Sequence, residues 1–73
     1  MIYRIYTTDG MPLKESEEPK EIMEAARFIS QYDRSAVVPV WKCDPEDDVI
    51  RDDDSVINND QELVCSFFQG FVQ

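Results

Sequence analysis

The sequence predicts one small α+β domain: a β-α-β-β unit with a three-stranded mixed sheet in the order 1-3-2, one helix on one face, and an acidic loop between the second and third strands. Three observations lead there. Apolar residues recur at helical spacing over residues 18–32. β-branched and aromatic runs occupy residues 1–7, 36–43 and 62–68. Between the last two runs, at 44–62, acids dominate. A chain of 73 residues is read as a single domain, 1–73, because compact domains need about 50 residues or more. A domain of this size buries only about 60% of its unfolded surface, so its core is small.

The first strand alternates Tyr and Ile with polar positions through residues 1–7, a half-buried pattern. Asp9-Gly10 supplies turn chemistry and Pro12 supports a loop. Ser16 or Glu18 can cap the helix, Pro19 is tolerated in its first turn, and nearby acids suit the helix dipole. Ile22, Ala25, Ala26, Ile29 and Tyr32 form its apolar face. Lys20 with Glu24, and Glu24 with Arg27, are expected surface pairs worth tenths of a kcal/mol. The second strand covers residues 36–43, and its Pro39, which cannot donate a ladder hydrogen bond, argues for a sheet edge. The third, residues 62–68, is apolar on both faces and is expected to be central. A right-handed crossover makes strands one and two parallel, with strand three antiparallel between them.

One helix covers one face of such a sheet. Val37, Trp41, Val64, Phe68, Phe71 and Val72 cannot all share the face used by Val38, Val40, Leu63 and Phe67. Exposed apolar patches of this kind usually mark an interface. The plain alternative is that the insert or the tail folds back over them. A homodimer is one way to use the leftover face.

The charge is concentrated. The chain carries 16 acids, 7 bases and no histidine, for a net charge of −9. Nine acids and one base, Arg51, lie within residues 44–62, giving −8; the remainder of the chain is close to neutral at −1. Direct nucleic-acid binding needs a basic surface, which is lacking, and anionic membranes are disfavoured likewise. Without histidine, the commonest general base and metal ligand are missing. The opening MIYRIYTTDG lacks the apolar h-region of a secretory signal, and no apolar run approaches the roughly 20 residues of a membrane span. The expected location is therefore the cytoplasm. There Cys43 and Cys65 stay reduced and read as small buried hydrophobes, since they form no C-x-x-C pair.

Three chemistries were weighed for the insert. An EF-hand loop needs ligands at fixed offsets, glycine at position six and glutamate at twelve. Counting from Asp44 puts Val49 and Ser55 there, and counting from Asp52 puts Val56 at position five, so the pattern fails in both registers. Paired-carboxylate catalysis needs a cleft with two acids around a substrate, for which one helix and a small sheet leave little volume. The chain is expected to be no enzyme and to need no metal or cofactor. Electrostatic recognition fits better. Val49-Ile50 and Val56-Ile57 each follow an acid cluster and read as anchors that pin the insert while its carboxylates face outward. Carboxylates about 6.6 Å apart on extended backbone approximate the phosphate spacing of nucleic acid, about 3.4 Å along each strand. The plain alternative is a solvated acidic loop.

In size, acidity and β-α-β-β layout, with its acidic 44–62 stretch, the chain resembles the small acidic inhibitors that phages and mobile elements make against host nucleic-acid machinery, anti-CRISPR proteins and other DNA mimics among them. The resemblance covers the whole chain through its general layout rather than a diagnostic motif. It implies a stoichiometric inhibitor in the host cytoplasm that binds the basic nucleic-acid-binding surface of a host protein and blocks DNA binding or recruitment. Asp44, Glu46, Asp47, Asp48, Asp52, Asp53 and Asp54 are the residues expected to supply the charge. Trp41, Phe68 and Phe71 are the candidate apolar anchors, because buried aromatics dominate interface energetics. The competing expectation is a small dimeric structural or adaptor module whose acidic loop is incidental.

Overall fold

The computed structural model describes all 73 residues. Strand β1 (Ile2–Tyr6) turns back into β2 (Pro12–Ser16), which leads to helix α1 (Pro19–Tyr32). Strand β3 (Val37–Cys43) follows, then a single 3-10 turn (Pro45–Asp47), β4 (Val49–Ile50), β5 (Val56–Ile57), β6 (Glu62–Phe68) and β7 (Phe71–Val72). The main sheet has five strands in the order β2-β1-β3-β6-β7, and β4 with β5 forms a separate two-stranded ribbon. The α+β class with one helix on one sheet face is as expected. The three-stranded mixed sheet in the order 1-3-2 is not.

The error has one source. Asp9-Gly10 does not lead into a loop; it closes a β1–β2 hairpin. The Thr7 N–H donates to Met11 O at 2.8 Å and the Gly10 N–H to Thr7 O at 3.0 Å, with Gly10 at φ +83°. This is a three-residue hairpin loop ending in a left-handed residue, where glycine avoids the Cβ clash. The chain has therefore reversed before it enters the helix. β2 and β3 become the parallel pair joined by the helical crossover, and β1 lies between them, antiparallel to both. The strand expected to be central, β6, lies outside β3, which takes the middle.

Pro39 sits in this middle strand, yet its constraint is respected. The β1 ladder reaches only Trp41, so at Pro39 the strand is paired on the β6 side alone, opposite Ser66. A local edge satisfies proline as well as an edge strand does. The β6–β7 connection has Gln69 at φ +52° and Gly70 at φ +85° between the paired Phe68 and Phe71. Two successive positive φ values make the tight primed turn that suits strand twist.

The core lies between α1 and one sheet face: Ile5, Ile22, Ala26, Val38, Val40 and Phe67 are buried. Each larger member contributes roughly 1.5–3 kcal/mol by leaving water. Ile29 and Ala25 pack at its margin, as the helical period demands. Tyr32 does not join them and is 87% exposed. It lies ten residues beyond Ile22, a rotation of about 280° at 3.6 residues per turn, which carries it off the buried stripe. Glu18 is the N-cap without a side-chain cap bond, while Ser16 Oγ accepts the Glu18 N–H at 3.0 Å. Neither Lys20–Glu24 nor Glu24–Arg27 closes to ion-pair distance; Arg4 makes the only salt bridges.

Candidate functional site

The acidic insert is an ordered hairpin. β4 and β5 pair antiparallel, Val49 opposite Ile57 and Ile50 opposite Val56. Their loop is Asp52-Asp53-Asp54, closed by Arg51 N–H to Ser55 O at 2.9 Å and Asp54 N–H to Arg51 O at 3.0 Å, with Asp54 at φ +67°. This repeats the β1–β2 loop, Asp54 standing where Gly10 stands. Aspartate tolerates left-handed backbone better than most residues, which suits it to the position. The three consecutive aspartates are thus the tip of a two-stranded ribbon, all exposed.

The anchoring differs from expectation. Val49 is 57% exposed and Ile50 72% exposed, so this pair does not pin the insert, whereas Val56 of the second pair is half-buried beside Tyr6 and Gly10. Polar contacts hold the rest. Arg4, on β1 and only 2% exposed, donates Nη1 and Nη2 to Asp48 Oδ1 and Oδ2, both at 2.8 Å. Its Nε and Nη2 donate to Glu15 Oε2 of β2 at 3.0 and 2.7 Å. The buried Asn58 amide donates to Asp44 O at 2.8 Å and to Asp48 Oδ1 at 3.0 Å, closing the base of the insert. Tyr6 OH donates to Gln61 Oε1 at 2.8 Å. The Val56 N–H donates to Gly10 O at 3.0 Å, which sets one hairpin loop against the other. A bidentate arginine–carboxylate pair fixes orientation as well as position. The insert is stapled to one half of the sheet's far face, the side away from α1.

Electrostatics then separates the expected site residues. Asp48 faces inward: the Arg4 hydrogen bonds hold its carboxyl below the ordinary range, against the opposing effect of burial, with Asn58 helping. The same contacts keep Arg4 charged. Asp53 is also lowered, because its Oδ1 accepts the Ser55 hydroxyl at 2.6 Å and the Ser55 N–H at 3.1 Å. Asp47 is pushed up, first by loss of solvent and then by the Asp60 and Asp44 carboxylates. Asp44 caps the 3-10 turn by accepting the Glu46 N–H at 3.0 Å. Glu46, Asp47, Asp52, Asp53 and Asp54 are exposed, and no insert acid except Asp48 lies within ion-pair distance of a base. No cluster of three metal-ligating side chains occurs.

The apolar candidates lie on the far face, in the half the insert leaves open. Register puts Trp41 opposite both Arg4 and Leu63, Val37 opposite Phe68, and Phe68 opposite Phe71. Trp41 and Phe68 are half-buried, whereas Phe71 is 75% exposed. Leu63 does not share the helix face with Phe67 as expected. A register shift between Val40 and Trp41 makes Val64 an extra residue, turning Leu63 to the Trp41 side. The insert thus lies over the β1–β2 part of the far face, while the apolar residues of β3, β6 and β7 stay exposed or half-buried. The cysteines are apart: Cys65 is opposite Val40 on the helix face, and buried Cys43 is opposite Ile2. Burial raises both thiols above their ordinary range.

Sequence reasoning missed Arg4, Asn58 and Tyr6. Arg4 left one signal, a lone base in a strand otherwise patterned with Ile and Tyr. Its partner, 44 residues away, left none. Comparison with protein-family models, curated proteins and solved structures gives no match.

Proposed function

We propose that this protein is a small acidic, non-enzymatic binding protein that occupies a basic nucleic-acid-binding surface of a host protein complex and so blocks DNA binding or recruitment. One observation carries the reading. The segment holding −8 of the net charge of −9 is a stapled hairpin with an exposed Asp52-Asp53-Asp54 tip. A merely solvating tail needs no such framework. Carboxylates on a fixed ribbon lose little freedom on binding, and they steer association with a basic surface most strongly at low salt. Asp48 is removed from the proposed contact set, because Arg4 neutralises it. Asp44, Glu46, Asp47, Asp52, Asp53 and Asp54 remain. The resemblance to phage and mobile-element inhibitors of the anti-CRISPR kind supports the choice of host target.

The direct test is capture of partners from bacterial lysate on the immobilised protein, eluted with a salt gradient. Nucleic-acid-binding proteins released by rising salt, and absent from an Asp52→Lys, Asp53→Lys, Asp54→Lys column, support the proposal. Equal capture on both columns refutes it. A second reading, a dimeric structural module, draws on the open half of the far face. A stable dimer in sedimentation at micromolar concentration would favour it.

A further inference from the structure

The open half of the far face is an apolar stripe bordered on its β1 side by the acidic insert. Phe71, Phe68, Val37, Pro39, Trp41 and Leu63 share one side of the sheet by register. Phe71 is 75%, Val37 58% and Leu63 55% exposed, and α1 packs on the opposite side. The insert flanks the stripe on its β1 side: its base is held by Arg4, the β1 neighbour of Trp41, and its Asp52-Asp53-Asp54 tip reaches the β1–β2 loop, where the Val56 N–H donates to Gly10 O at 3.0 Å. At the Val37 end both signs are present: Asp33 lines a hollow with Val37 and Pro39, and Arg34 Nη2 donates to Gln69 Oε1 at 3.1 Å in the β6–β7 turn. The surface is therefore an apolar stripe along β3, β6 and β7 with an acidic flank on its β1 side.

Resting on the proposed function, we infer that this stripe and the insert together form one docking surface whose occupant is a basic amphipathic helix of the partner protein, its cationic flank toward the insert and its apolar face on Trp41, Leu63 and Phe71. Charge complementarity selects a basic partner over a second copy. Stripe-to-stripe packing of two copies would bring two strongly acidic inserts against the same interface. Strand addition at the β6 edge is disfavoured by the extra residue Val64, because a bulge there breaks the regular ladder an added strand would follow. A helix lying on the face needs no ladder. From Val37 to Trp41 the stripe runs about 13 Å at 3.3 Å per residue, the length of roughly nine helical residues. That is two and a half turns, enough for anchors at i, i+3 or i+4, and i+7, the usual helix-in-groove spacing.

Trp41 is the only tryptophan and reports directly on the stripe. The experiment titrates the protein with a synthetic leucine–lysine amphipathic helical peptide and, separately, with an oligolysine of equal charge, at about 0.15 M salt. The helical peptide is expected to shift Trp41 emission to the blue and to bind more tightly than oligolysine. The pair Leu63→Ser with Phe71→Ser, both at exposed positions, should weaken the helical peptide by about tenfold or more and leave oligolysine unchanged. Replacing Asp52, Asp53 and Asp54 by Asn should weaken both. Peptide binding that ignores the serine pair while falling with the Asn variant overturns this inference and leaves the charge reading standing. Binding of neither peptide overturns the charge reading itself. A free protein that sediments as a dimer, losing that state in the serine pair, assigns the stripe to a second copy and overturns the inference too.

Discussion

Removing the Asp48 carboxylate should do more damage than removing any other acid of the insert. Asp48→Ala deletes two charge-assisted hydrogen bonds to Arg4, both 2.8 Å, and leaves a 2%-exposed guanidinium with Glu15 as its single carboxylate partner. Because Glu15 and Tyr6 still accept from Arg4, the loss is that of charge-assisted hydrogen bonds, about 1.5–3 kcal/mol, against 0–1 for a surface pair. A domain of this length holds only about 4–11 kcal/mol of total stability. Tm should therefore fall by at least roughly 6 °C at 4–8 °C per kcal/mol. Urea titration followed by far-ultraviolet circular dichroism measures the loss directly. Restoring apolar complementarity with Arg4→Met plus Asp48→Leu should recover most of it, because a packed apolar pair replaces both desolvated charges. A loss below about 1 kcal/mol for Asp48→Ala would show a surface-type pair and would refute the staple. The pH dependence carries the same signature. Because Asp48 titrates lower in the folded protein than its unfolded value near 3.9, its stabilisation is fully present above about pH 4 and is lost as pH falls through the depressed folded value. Asp48→Asn should flatten that limb. Asp47, raised in the folded state, acts in the opposite sense: its strain is present when ionised and is relieved as pH falls.

Three other outcomes follow from local geometry. Asp54→Gly should be neutral or stabilising by up to about 1 kcal/mol, and Asp54→Val destabilising by about 1–2 kcal/mol, since only the latter worsens the left-handed backbone; paired urea melts decide. Gly70→Ala should cost about 1–2 kcal/mol, because φ is +85° and the added Cβ would lie 2.7 Å from Gln31 Cγ; a cost that disappears in Gln31→Ala would show a side-chain clash rather than backbone strain. In the native protein Cys43 should react with a thiol reagent far more slowly than in urea, being buried with a raised thiol, and mild oxidation should form no internal disulfide.

What the sequence revealed tracked side-chain burial and strand propensity. The helix is read at 18–32 and found at Pro19–Tyr32 because it buries a periodic apolar set; the third strand is read at 62–68 and found at Glu62–Phe68 because its apolar and aromatic run has high strand propensity, although only Phe67 is buried. Missed strands bury little. β2 reads Pro-Leu-Lys-Glu-Ser and is exposed but for Ser16, so its strand character comes from pairing with β1 and from nothing local. The two-residue strands β4, β5 and β7 owe their existence to turns whose key residues, Asp54 and Gln69-Gly70, are not the usual hairpin pairs. Once β2 was absent, the crossover rule, sound in itself, was applied to the wrong strand. In the candidate site, the location of the charge was legible from counting alone. Which acid faces inward was not, because that is decided by an arginine on a strand far away in the chain.

The proposed substitution of a fixed acidic hairpin for nucleic acid on a basic surface is tested by fluorescence anisotropy of a labelled DNA duplex bound to the partner recovered from lysate, with this protein added as competitor over a salt series. Stoichiometric displacement of the duplex is expected, weakening as salt rises, and abolished when Asp52, Asp53 and Asp54 are replaced by lysine in a protein that still melts as the wild type does. A duplex that stays bound while this protein also binds, or displacement unchanged by the charge reversal, would contradict it.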